Sequence, residues 1–210
     1  MNWQEIAQKF AKVVLCEECD PNQVPNLLRN ETFDVPQPGY IGRDYEKKRV
    51  LLVGQNPGKS PPQRKKQDEK YAEYLKGVAQ EPNEANMKIL HDFLFGDIQT
   101  WDVWNYFPLK EANLQFGDIA YLNLVRCRTN CNSPPTAGLW RVCRREHFEP
   151  WLDWLKPNVV VCIGKWSHDR VKDSLARGIP HDFVQRRTSS IEHRNNLERV
   201  ARLIKSCTLI

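Results

Sequence analysis

Apolar and polar positions along this chain follow two rhythms. Near the N-terminus, "MNWQEIAQKFAKVVL" spaces its apolar residues as an amphipathic helix does. Later, "RVLLVG" (49–54), "DIAYLNLV" (118–125) and "NVVVCIG" (158–164) are short, continuous apolar runs, the first ended by a Gly/Pro turn. Such runs predict buried strands. Helical patterns lie among them at about 64–77, 84–95 and 139–155, with others at about 165–176 and 191–206. The stretch 20–45 is punctuated by Pro21, Pro25, Pro36, Pro38, Gly39 and Gly42 and predicts a long loop. Buried strands alternating with helices argue for an α/β fold. The expected form is a three-layer α/β/α sandwich with a mostly parallel, four-stranded sheet, formed by residues 1–210 as one domain.

In open parallel sheets, ligands sit at the carboxyl ends of the strands. Chemistry is therefore sought in the segments that leave those ends: "GQNPG", "RCRTNC" and "GKWSHD". Neither Gly54 nor Gly164 opens a phosphate-binding G-x-G-x-x-G or Walker sequence, which weakens a nucleotide-binding reading.

Composition narrows the picture. The 210 residues are 40% hydrophobic, enough to build a core, and no apolar run approaches a membrane span or a signal peptide. A soluble, cytoplasmic protein is expected. In a reducing compartment, an odd count of seven cysteines argues against a disulfide framework and leaves metal ligation or burial. The net charge of +5 is a mild lean toward polyanions, concentrated in "KSPPQRKKQDEK" and "RRTSSIEHRNNLERVARLIK". Such runs also occur simply as solvated faces.

Cys16 and Cys19 form C-x-x-C, which alone fits a redox pair, half a zinc site or coincidence. Cys127 and Cys143 are separated by fifteen residues, with Cys131 between them. Cys162, in an apolar strand, and Cys207, in a helix, read as small buried hydrophobes. Four thiolates suit either a [4Fe–4S] cluster or a structural zinc.

These residues resemble the uracil-DNA glycosylase superfamily, and most closely its iron–sulfur branch, family 4. The resemblance lies in Cys16-x-x-Cys19, "VGQNPG", Asn123-Leu-Val-Arg-Cys127-Arg128, Asn132, Pro135-Thr136 and Cys143, and runs from about residue 6 to 176. It implies a DNA glycosylase acting on uracil or another altered pyrimidine, by base flipping, as a monomer on DNA. It also implies a structural [4Fe–4S] cluster on Cys16, Cys19, Cys127 and Cys143, with Cys131 a bystander. A non-catalytic DNA-binding protein retaining fold and cluster is the alternative.

By the same resemblance, Asn56 stands at the water-positioning place of the first loop, which family 4 leaves to Ala. Gln55 replaces a family-4 Glu, and its backbone N–H is positioned to meet a pyrimidine carbonyl. Gly58, like Pro57, lets the backbone approach DNA closely, and Lys59 and Arg128 are read as DNA contacts. Asn123 is the base reader, because its side-chain amide carries the donor and acceptor that uracil's N3–H and O4 require. Tyr71, or Tyr74, is the candidate stacking aromatic, though both also fit the core of an amphipathic helix. The superfamily's H-P-S loop has no counterpart after residue 160. Its nearest substitutes are Ser189 and Ser190, expected to hold phosphate at a helix N-terminus with Arg186 and Arg187, and His193, the one histidine of 186–196 and the candidate for the loop's catalytic role, although it would fall inside the helix. A solvated basic helix face is the competing reading for this group.

Overall fold

The computed structural model describes residues 2–19, 24, 26–29, 32–58, 62–130, 133–175, 178–186 and 188–208. Its contacts divide the chain into two compact units. One comprises Met1–Gly39, Asn56–Gly96 and Asn123–His147; the other comprises Tyr40–Gln55, Asp97–Leu122 and Phe148–Ile210.

The second unit is organised around a five-stranded sheet of order β1-β3-β2-β4-β5. Its strands are β1 (Tyr40–Ile41), β2 (Val50–Gly54), β3 (Ile119–Asn123), β4 (Val159–Ile163) and β5 (His181–Val184). β2 pairs parallel with β4 in the register Val50↔Val159, and β4 pairs parallel with β5 through Val160↔His181. β1 runs antiparallel to β3, with Tyr40 opposite Tyr121. Every residue of β2, β3 and β4 is buried, as continuous apolar runs demand when both faces of a sheet are covered.

The α/β class and mostly parallel sheet agree with expectation, but the described residues form five strands rather than four. The extra elements escape pattern reading for a physical reason. β1 has only two residues, and "HDFV" of β5 is half-exposed at its first three positions, so neither makes an apolar run. The residue after β1 holds that short strand in place: the Gly42 N–H donates to the Ile119 carbonyl at 2.8 Å. A Cβ on Gly42 would stand 2.2 Å from the Gly117 carbonyl oxygen, so only glycine fits there.

In this unit α7 (Gly164–Leu175) and α8 (Ser190–Thr208) pack on β4 and β5. Gly164 has φ +78°, a left-handed conformation that lets β4 turn directly into α7. The helix expected over 139–155 is divided: α5 (Ala137–Cys143), a π-helical stretch Arg144–Phe148, and α6 (Glu149–Leu155). Pro150 lies in the first turn of α6, where its missing N–H opens the regular ladder. A short α2 (Tyr45–Lys48) precedes β2.

The first unit is helical. α1 (Trp3–Val14) buries Ile6, Phe10, Val13 and Val14 and is capped by Asn2, whose Oδ1 accepts from the Gln4 N–H at 2.9 Å. It packs against α3 (Lys65–Gln80), and the Trp3 ring meets His91 of α4 (Glu84–Ile98) edge-on at 4.8 Å. The expected loop ahead of β1 is irregular in its described residues, but it is not idle. Leu27 and Thr129 form an antiparallel bridge, reinforced by Leu28 N–H to Arg128 O at 3.0 Å and Asn130 N–H to Asn26 O at 2.8 Å. Among the described residues, no helix is long and apolar enough to cross a membrane.

Candidate functional site

The first loop leaves the carboxyl end of β2. Gln55 and Asn56 are half-buried, Pro57 is buried and Gly58 is exposed, while Lys59 lies outside the described residues. Asn56 Nδ2 donates to Thr129 Oγ1 at 3.0 Å and to the Pro57 carbonyl at 3.3 Å. Thr129 Oγ1 donates in turn to the Ser133 carbonyl at 2.6 Å. The first loop is thereby tied to the segment after Cys127. Asn123 closes β3 and is only 6% exposed. A polar side chain buried there must satisfy its amide with a partner.

The structure gathers the four expected cysteines in one region of the first unit. Cys16 and Cys19 come after the end of α1, Cys127 comes after β3, and Cys143 ends α5. Cys19, Cys127 and Cys143 are buried with Leu27, Val125 and Leu139; Cys16 is half-buried, and all four are free thiols. The Cys19 and Cys143 thiols are hydrogen-bonded, which draws the Cys19 pKa down and drives the Cys143 pKa up. Burial, with a smaller contribution from the charges of Cys16 and Cys19, pushes the Cys127 thiol up to about 12; the Arg29 cation opposes the rise. Burial also raises Cys16.

Cys127 lies within electrostatic reach of Cys16, Cys19 and Cys143, and thiols are donors whose chemistry suits a cationic metal or cluster. Among the described residues, however, no three His, Cys, Asp or Glu side chains close around one point tightly enough to hold a metal ion. Cys131 and Asn132 lie outside the described residues. Cys162 is fully buried in β4, in keeping with the small-hydrophobe reading; Cys207, near the end of α8, is half-buried.

Several sequence-proposed residues have other occupations. Arg128, expected at the DNA, is only 4% exposed. Its Nη2 lies 3.0 Å from Asp68 Oδ2, and its Nη1 lies 3.4 Å from Asp34 Oδ1 and donates to the Phe33 carbonyl at 3.2 Å. A guanidinium so enclosed is spent on the protein rather than on phosphate. Tyr71 is a core residue of α3, 6% exposed and stacked on Phe93 at 6.3 Å.

In the second unit, Ser189 Oγ accepts from the Glu192 N–H at 3.2 Å and so caps α8; Ser190 is exposed in the first turn. His193 lies inside α8, its Nε2 2.9 Å from the Asn105 carbonyl and its ring edge-on to Tyr106. The exposed Arg186 places its guanidinium 5.2 Å over the same Tyr106 ring, while Arg187 lies outside the described residues. Sequence reasoning missed Thr129, Arg126 and His147. Arg126 is fully buried and donates from Nη1 to the Pro38 carbonyl at 2.6 Å. His147 is held down to about 4, chiefly by burial and then by the Arg126 charge. Only the position of Thr129, two residues after Cys127, offered a signal.

A mostly parallel α/β sheet whose polar loops leave its strand ends is the architecture of a protein that handles a ligand at the carboxyl edge of its sheet. More narrowly, the chain belongs to the uracil DNA glycosylase superfamily, whose family model matches residues 42–205. The matched range contains Asn56, Asn123, Cys127 and Cys143 and begins after Cys16 and Cys19. No curated protein matches the chain.

Proposed function

We propose that the chain is a DNA glycosylase that hydrolyses the N-glycosidic bond of uracil or another altered pyrimidine. The observation that carries this reading is a pair of amides inside the family-matched range: Asn123 ending β3, and Asn56 anchored through Nδ2. The target nucleotide is flipped out of the stack. Asn123 reads the base, accepting from N3–H and donating to O4. As the C1′–N1 bond breaks, its electron pair leaves with the base, and the Asn123 amide stabilises the charge on the pyrimidine oxygens.

A water held by Asn56 Oδ1 then adds its oxygen to C1′ and loses a proton to solvent. The base anion takes up a proton, so the products are the free base and an abasic sugar. An amide cannot act as a base, so departure precedes attack. His193 offers little here, because its ring nitrogen is engaged by Asn105.

Cys16, Cys19, Cys127 and Cys143 would hold a [4Fe–4S] cluster, which would supply cross-linking of the chain and no redox step. Arg186 and Ser190, both exposed, remain the candidates for phosphate contact in the second unit.

The test is a panel of oligonucleotides, single- and double-stranded, each carrying one altered base and treated with alkali to cut abasic sites. Strand cleavage at one or more altered pyrimidines is expected. It should fall roughly 100- to 1,000-fold in Asn123→Ala with the fold retained. Binding of DNA without cleavage of any substrate would overturn the enzymatic reading in favour of a non-catalytic binder.

A further inference from the structure

We infer that Thr129 is a positioning residue that selects which end of the Asn56 amide faces the attacking water. The inference rests on the water-holding reading of Asn56. A side-chain amide has a donor end and an acceptor end of nearly the same shape, and the two have opposite effects on a nucleophile. When Oδ1 accepts a proton from water, the water's lone pair is left free for C1′. When Nδ2 faces the water, it occupies that lone pair.

The hydrogen bonds around Thr129 decide between the two. The Ser133 carbonyl can only accept, so the single hydroxyl proton of Thr129 goes to it, at 2.6 Å. Toward Asn56 the hydroxyl therefore presents only a lone pair, which only the NH2 end can meet, and it does so at 3.0 Å. The Pro57 carbonyl, also an acceptor, pulls the same way.

Thr129 itself has little freedom. It is 1% exposed and bridged to Leu27. On either side, Arg128 and Asn130 are tied by backbone hydrogen bonds to Leu28 and Asn26. A rigid group of this kind sets the orientation of a catalytic side chain without touching the substrate.

The experiment measures base release under single-turnover conditions, together with the DNA concentration giving half-maximal rate, in Thr129→Val, Thr129→Ser, Asn56→Ala and the Thr129→Val/Asn56→Ala double variant. Rates are taken per folded molecule, with Thr129→Ala as a second hydroxyl-free variant. Thr129→Val is expected to slow release roughly 10- to 100-fold with DNA affinity unchanged. Thr129→Ser should retain the rate, and the double variant should be no slower than Asn56→Ala alone. An undiminished rate in the hydroxyl-free variants, or losses that multiply in the double variant, would overturn the inference. Full activity in Asn56→Ala would instead remove the water-holding reading beneath it, so the two failures are distinguishable.

Discussion

Replacing Arg128 by Met tests whether this residue serves the fold or the DNA. In the structure its guanidinium lies between Asp34 and Asp68, whose side chains are 8% and 16% exposed. Met keeps much of the volume but leaves two poorly solvated carboxylates facing each other without their cation. Breaking a buried ion pair by removing one partner costs about 3–5 kcal/mol. For a chain of this size each kcal/mol moves the melting temperature by roughly 2–4 °C, so a fall of roughly 6–20 °C is expected.

Calorimetric melts should record that fall, and adding Asp34→Asn and Asp68→Asn to Arg128→Met should recover most of it. The salt dependence of DNA binding, measured on the folded variant, should keep its slope. A melt like that of the parent, with a salt slope shallower by about one, would mean that Arg128 neutralises a phosphate and would refute the argument.

Two further expectations concern the cysteines and His147. Protein purified without oxygen should be brown, and Cys127→Ser should lose the colour and melt lower, whereas Cys207→Ser should keep both. A colourless protein with one tightly held zinc would reject the cluster. His147 is ordinarily protonated near 6.5 but only near 4 in the folded chain. The unfolded chain therefore takes up a proton first as the pH falls. The stability contributed by neutral His147 is whole above the ordinary value and drains away by about 3 kcal/mol toward the folded one. Urea midpoints taken between about pH 7 and pH 4.5 should drop steeply in the parent and less steeply in His147→Leu. Equal slopes would dismiss His147 as the source.

Much of the sheet was legible without coordinates, because a strand buried on both faces has to be almost wholly apolar, as β2 and β4 are throughout and β3 is up to its closing Asn123. β5 was not legible, since three of its four residues are half-exposed and its register comes from β4. Tyr71 illustrates the same limit at the level of a single side chain. Its helical spacing was visible, but only the proximity of Phe93 makes it a core residue rather than an open stacking platform. Ser189 and Glu192 stood in the capping-box spacing, and the cap formed there accounts for the Ser189 hydroxyl that sequence reasoning had assigned to phosphate.

Local chemistry was thus determined by the sequence alone: apolar runs that must become strands, glycines that turn them, four cysteines in two spaced pairs, and amides at the strand ends. Tertiary structure decided how each polar group is spent. The partners of Arg128 lie 94 residues away at Asp34 and on α3 at Asp68, and Asn56 finds Thr129 73 residues along the chain. A guanidinium becomes structural, or an amide acquires a direction, only when burial removes water as the alternative partner and a distant segment supplies the replacement. Spacing along the chain can nominate such residues, and folding assigns them.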